Sequence, residues 1–274
     1  MHFEGEDAHE LVHAGQRMVV VTSIGPRISW FGYVGGRNLL YWDTAGKKQR
    51  AEWRLRGGHR LWLTRPGADE SEETYDPDNA ACRVREVVAG LRVIALPTHA
   101  RIEKTLTVRA SGPGWRISHR IRNVGDMLWA GGIWALTCTS PERSTRYRIP
   151  LDGGSSDWDA LTVVIPRRWG GGHSSRVEDS QLRLAEDALH IRASGREAKR
   201  MLRTARGALE MHDSRGHFTK SARPIAGGAY PLDTNVAVYL APRAFMVELE
   251  TMGPASTLAP GTSVDHDELW SLTR

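Results

Sequence analysis

The chain of 274 residues is expected to fold as an all-β protein, a single large sandwich of antiparallel sheets over residues 1–274. Three observations predict it. Apolar residues alternate with polar ones at every second position in one segment after another, the period of a strand with one face in a core. Turn-forming residues, chiefly glycine and proline, recur at short spacing between those segments. Helical periodicity is scarce, and no Pro/Ser-rich divider or short-period repeat breaks the chain, which disfavours separate domains and a propeller.

The elements follow in order. Residues 17–23 (RMVVVTS) are β-branched and apolar, and residues 27–34 (RISWFGYV) form the next strand after the Gly25-Pro26 break. A strand over residues 38–42 is expected after the Gly35-Gly36 turn. Residues 101–109 alternate, residues 111–114 (SGPG) turn, and Trp115, Ile117, His119 and Ile121 supply the buried face of the partner strand, so the two segments form a hairpin. Residues 181–184 and 188–192 are expected to pair around Glu186-Asp187. Residues 198–210 read either as an amphipathic helix interrupted at Gly207 or as strands. Val236, Val238 and Leu240 alternate, and residues 245–254 (FMVELETMGP) close the series.

That last segment is the most informative. Phe245, Val247 and Leu249 are expected to face a core, and Met246, Glu248 and Glu250 the opposite side. In an arbitrary strand this is a solvated acidic face. A rigid strand is also a good platform for a carboxylate that must be held in place for proton transfer.

Composition narrows the function. Hydrophobic content of 40% and charged content of 25% are ordinary for a soluble globular protein. No run approaches about 20 apolar residues, so no membrane-spanning helix is expected. The acidic N-terminus has no apolar core of a signal peptide. Cys82 and Cys138 alone support neither a disulfide framework nor a Cys-based zinc site, and a reducing cytoplasm is the expected location. A net charge of +5 and a pI near 9.5 raise nucleic-acid binding, but the tight basic clusters, residues 47–50 and 196–206, lack aromatic spacing, and no nucleic-acid partner is expected. No metal or cofactor is demanded. The acids at 69, 70, 72 and 73 lack EF-hand spacing. Gly170-Gly171-Gly172 lacks the Lys-Ser/Thr of a phosphate loop, and no nucleophile elbow is present.

Several motifs line up along the chain: Gly25-Pro26-Arg27-Ile28, Gly57-Gly58-His59-Arg60-Leu61-Trp62, Pro77-Asp78-Asn79, Asn123-Val124-Gly125 before Ile133-Trp134-Ala135-Leu136, residues 245–254, Leu258-Ala259-Pro260-Gly261, and His266-x-Glu268-x-Trp270. In this order they resemble the DUF4380 family of galactose mutarotase-like proteins over nearly the whole length. The resemblance implies the galactose mutarotase-like supersandwich of large antiparallel sheets, with a sugar-binding groove on the concave face of one of them. It also implies aldose 1-epimerase chemistry, in which a strand carboxylate deprotonates the anomeric hydroxyl and a histidine protonates the ring oxygen.

By that resemblance Glu248 is the base and Glu250 follows on the same face. Arg60 anchors a sugar oxygen, and His59 is a candidate acid. Lys220 is a second candidate acid or an anchor for an anionic substituent. Trp62, Tyr75, Asn79, Trp134, Tyr230 and Asn235 are candidate groove-lining residues. The chain departs from the epimerase pattern at residues 133–137, where Trp134 stands in place of the general-acid histidine. A non-catalytic sugar-binding protein, or a lyase or hydrolase reusing the groove, is therefore the alternative. His119 reads as a core histidine, and His173, His190, His212 and His217 as surface residues. His266 and Glu268 read as part of a closing, capping strand.

Overall fold

A computed structural model describes residues 1–43, 49–50, 53–65, 72–151 and 160–274. Lys47, Lys48, Asp69 and Glu70 lie outside the described residues, as do the side chains of Arg50, Glu72 and Glu73. Two large sheets, antiparallel throughout, account for nearly all the regular structure. The first runs, strand by strand, Glu6–His13, Gln16–Val21, Arg27–Tyr33, His59–Thr64, Trp129–Thr139, Val247–Met252, Val236–Leu240 and Ala198–Leu202. The second contains Arg146–Pro150, Ala208–Asp213, Gly216–Ser221, Ser263–Thr273, Gly114–Asn123 and Ile102–Ser111 in that order.

The core lies between them. Val247, Leu249, Val236, Val238 and Phe31 of the first sheet meet Ile117, Phe218, Trp270 and Met211 of the second. Phe31, Phe218 and Trp270 contact one another edge to face, with ring centroids 5.1–5.5 Å apart. The second sheet keeps a wet outer side: Arg116 and Arg120 project outward to Asp267 and Asp265. The centre of the first sheet does not. Every residue of His59–Thr64 and of Val247–Met252 is buried, on both faces. Alternation in these strands therefore separates an apolar buried side from a polar buried one.

The hairpins expected around residues 111–114 and 186–187 are present, Ile102–Ser111 with Gly114–Asn123 and Leu182–Leu184 with Ala188–Ile191. Residues 198–210 resolve as strand, turn, strand, because Ala198 and Leu202 must enter the inter-sheet core at even spacing. Two expectations are corrected. Residues 38–42 make only isolated bridges, Leu40 to Thr139 and Trp42 to Gly57, and form no continuous strand. Phe245 is not on the core face: a 3₁₀ turn over Pro242–Ala244 precedes it, alternation begins at Val247, and its ring packs on Tyr41.

Gly57 and Gly58 set the entry of the Arg60 strand. Both have positive φ (+89° and +75°), and a Cβ on Gly58 would stand 2.4 Å from the Ile28 carbonyl oxygen. Gly58→Ala is expected to cost about 2 kcal/mol or more. Urea unfolding checks this, and an unchanged midpoint would contradict the close approach.

Candidate functional site

Register across the first sheet builds the site. Cys138 stands opposite Glu248, Glu248 opposite Tyr239, and Tyr239 opposite Lys199, in one row across four strands. The adjacent row on the same face holds Arg60, Leu136, Glu250, Ala237 and Met201. Beyond it Trp62 and Trp134 stand side by side.

The polar groups of this outer face are interlocked. Arg60 Nη2 donates to Glu248 Oε1 at 3.1 Å, and the guanidinium lies 4.1 Å over the Trp62 ring. Cys138 Sγ donates to the same carboxylate oxygen at 3.4 Å. Trp62 Nε1 donates to Asp78 Oδ1 at 3.0 Å, and Arg27 Nη2 pairs with Asp78 Oδ2 at 2.9 Å. Burial alone would raise the Asp78 pKa, but Arg27 and Arg60 outweigh it and hold the carboxyl below its ordinary value. Trp134 Nε1 donates to Glu250 Oε2 at 2.9 Å, and Lys199 Nζ pairs with that oxygen at 3.1 Å while lying 4.7 Å over the Trp134 ring. Tyr75 packs on Trp62 with centroids 4.2 Å apart. Glu248 and Glu250, for which a solvated face was the bland expectation, are 8% and 1% exposed. Arg60, 1% exposed, keeps Nε and Nη1 without a hydrogen bond among the described residues.

His59 and Lys220 lie on the other face, a correction to their expected place in the groove. His59 precedes Arg60 by one residue, so the pleat turns it into the space between the sheets. There the network has a single consistent polarity. His119 Nδ1 donates to the His266 carbonyl, so a neutral His119 offers Nε2 as an acceptor. His59 Nε2–H fills it at 2.7 Å, leaving His59 Nδ1 to accept from Thr137 Oγ1 at 2.9 Å. Thr137 Oγ1 in turn accepts from Lys220 Nζ at 2.9 Å.

Lys220 also pairs with Glu268 Oε1 at 2.8 Å, and Glu268 accepts from Thr251 Oγ1 and Trp270 Nε1. Thr251 Oγ1 accepts from His266 Nε2. The ligand-capable atoms of His59, His119 and Glu268 lie within 4.8 Å of one another, but the Lys220 ammonium already supplies the positive charge beside that carboxylate. His266, half-buried, and Glu268, fully buried, read from sequence as capping residues, are thus members of the inter-sheet network.

The remaining expected residues are dispersed. Asn79 accepts from Arg27 and donates to the Arg54 carbonyl, beside the groove. Asn235 is bound to both backbone groups of Thr204 and shapes a turn. Tyr230 lies under Arg203 and lines a different cleft, of about 740 Å³, with Arg116, Arg206, Asp265 and Asp267. Sequence reasoning passed over Asp78, Cys138 and Lys199. Asp78 was inside a quoted motif, and Lys199-x-Met201 carries the alternation that puts both on the outer face.

With this geometry established, comparison with solved structures gives the fold a family likeness. The chain is similar to a galactose mutarotase-like protein from Lactobacillus casei (TM-score 0.63, 9% identity, 97% of this chain and 100% of that one). It is similar to an aldose 1-epimerase candidate from Escherichia coli K12 (TM-score 0.66, 11% identity, 98% and 99%). A galactose mutarotase related enzyme from Lactobacillus acidophilus also matches (TM-score 0.62, 10% identity, 98% of each chain). The fold is galactose mutarotase-like. No family model matches the chain. No curated protein matches it either. No helix among the described residues is long and apolar enough to cross a membrane.

The buried imidazoles make stability depend on pH. Burial lowers the pKa of His59 and His119 and brings that of His266 down to about 3. An unfolded imidazole titrates near 6.5, so below that pH the unfolded chain binds more protons than the folded one. The contribution is complete above about pH 6.5 and falls as the pH drops towards the folded values. Each imidazole then adds a slope of up to about 1.4 kcal/mol per pH unit. Unfolding free energy measured in urea at pH 7 and pH 5 should fall clearly. Equal values would contradict neutral buried histidines.

Proposed function

We propose that this protein is a sugar-active enzyme of the aldose-epimerase type, acting by proton transfer on a sugar or sugar derivative held over the outer face of the first sheet. The observation that carries the reading is the Arg60–Glu248 pair at 3.1 Å beside Trp62 and Trp134. Aromatic walls suit the apolar face of a pyranose, and a carboxylate fixed by a guanidinium and a thiol suits a base that must meet one hydroxyl. A buried donor without a hydrogen bond calls for an explanation. Arg60 Nε fits a hydroxyl or ring oxygen of a sugar, while Nη1 already lies 3.6 Å from Asp78 Oδ2. Glu250 and Lys199 complete the polar lining opposite.

Membership of DUF4380 belongs to this proposal and rests on the paired Gly57–Trp62 and Glu248–Pro254 motifs. So does a cytoplasmic location, supported by two free cysteines. His59 and Lys220 enter it as structural residues, since the sheet separates them from Glu248. One observation favours a second reading, sugar binding without turnover: Trp134 occupies the position that carries an acid in the epimerase pattern.

Proton NMR of the anomeric signals of freshly dissolved α-sugars, sugar acids and sugar phosphates tests both. Accelerated α-to-β conversion is expected with one class, and signals beyond the two anomers would indicate a lyase or hydrolase. Glu248→Gln should abolish turnover while keeping affinity within a few-fold, whereas Trp134→Ala should weaken binding at least tenfold. Binding without acceleration, indifferent to Glu248→Gln, would select the binding protein.

A further inference from the structure

The inward histidines are separated from Glu248 by the sheet, yet one imidazole does stand over the outer face. His173 follows the 3₁₀ turn Gly170–Gly172 and pairs with Trp169 across a two-residue ladder. Its Nδ1 lies 2.7 Å from Glu197 Oε1. The same oxygen accepts from Tyr239 at 2.7 Å, and Ser174 N–H donates to Oε2 at 3.3 Å. Burial raises the Glu197 pKa, but the hydrogen bonds from Tyr239 and His173 outweigh it and keep the carboxyl below its ordinary value. Glu197 is therefore an ionised acceptor that fixes the His173 tautomer with Nδ1–H.

That leaves Nε2 pointing away from its anchor. It makes no hydrogen bond among the described residues, and the side chain is 40% exposed, within reach of a ligand. Trp169 stacks on the ring at 5.5 Å and 21°, and Tyr239 meets it edge-on at 5.9 Å. An imidazole with one nitrogen tied to a carboxylate, the other free, and its ring packed against two aromatics that also touch each other is oriented for proton transfer.

Tyr239 ties this pair to the groove. It stands opposite Glu248 on one side and Lys199 on the other. The Tyr239 ring that meets His173 belongs to the residue paired with Glu248, so one residue links the imidazole to the carboxylate. The titratable groups about His173 are Glu197 and Tyr239, with Lys199 and Glu248 beyond them.

We infer that His173, positioned by Glu197, is the acid that works with Glu248 across a sugar in the groove. The inference rests on the sugar-active reading above. Glu248 takes the proton of the C1 hydroxyl, and the C1–O5 bond breaks with its electron pair going to O5. His173 imidazolium delivers the Nε2 proton to O5, while Glu197 balances the imidazolium charge until then. Rotation about C1–C2 and the reverse transfers return both protons, so no co-reactant is needed.

The test is the pH profile of anomer interconversion, by NMR, for the wild type, His173→Gln and Glu197→Gln, with circular dichroism to confirm folding. The wild-type rate should show a limb that falls with rising pH, since the acid must be protonated. His173→Gln should lose about 10²–10⁴-fold in kcat with KM within a few-fold and should lack that limb. Glu197→Gln should lower kcat with KM within a few-fold, and Glu197→Asp should restore kcat in part. A folded His173→Gln variant with wild-type kcat and profile overturns this inference and leaves the sugar-active reading standing. A wild type that turns over no sugar overturns both.

Discussion

The central strands of the first sheet are buried on both faces, and that constraint governs the rest of the molecule. A strand covered on one side can leave its charges in water. Val247–Met252 cannot, so Glu248 and Glu250 each need a cationic partner within reach. Taking two charges out of water costs several kcal/mol per ion, and losing one member of a buried pair costs about 3–5 kcal/mol. The neighbouring strands answer this: Arg60 comes from one side of Glu248, and Lys199 reaches Glu250 from the other. Their indole neighbours Trp62 and Trp134 add hydrogen bonds and cation–π contact without adding charge. What looks like a functional constellation is also the condition under which this sheet can be buried at all.

Alternation made most of the architecture legible. The hairpin around residues 111–114, the apolar face of Gly114–Asn123 and the glycine-dependent entry at Gly57-Gly58 all rest on local rules that tertiary contacts did not override. The site was legible only in part. Period 2 says that His59 and Arg60 face opposite ways, but a motif read as a unit hides this. Period 2 also does not say whether the polar side of a strand is wet. Glu268 carries its meaning in Lys220, Thr251 and Trp270, and two of those partners lie far away in sequence. Phe245 falls off the core face because a 3₁₀ turn restarts the alternation two residues later.

Trp134 changes what the outer face requires. Its indole N–H is committed to Glu250 and its ring carries Lys199, so this position supplies a wall and a hydrogen bond, not a titrating group. Under the proposed epimerase reading, an acid on this face has to come from another element. The segment 168–174 is the one inferred to do so, with Glu197, at the foot of the Lys199 strand, holding an imidazole against Tyr239. A loop residue fixed by a strand carboxylate and two aromatics keeps orientation while retaining access, which a fully buried strand position cannot offer.

The two faces are not independent. Lys220 donates to the Leu249 carbonyl at 3.0 Å and lies 3.4 Å from that of Ala135, the strands that carry Glu248 and Trp134. Thr137 and Thr251, on those same strands, are fixed by Lys220, His59, His266 and Glu268 from within. The inward network therefore clamps, at alternate residues, the backbone whose intervening residues form the outer face. Each outward side chain inherits its position from an inward neighbour one residue away. A polar clamp specifies strand position more narrowly than apolar packing alone, because its hydrogen bonds fail over a few tenths of an ångström. Two imidazoles, a lysine and a glutamate in the inter-sheet core are costly to bury, and holding the Glu248 and Trp134 strands in fixed relation is the physical return on that cost.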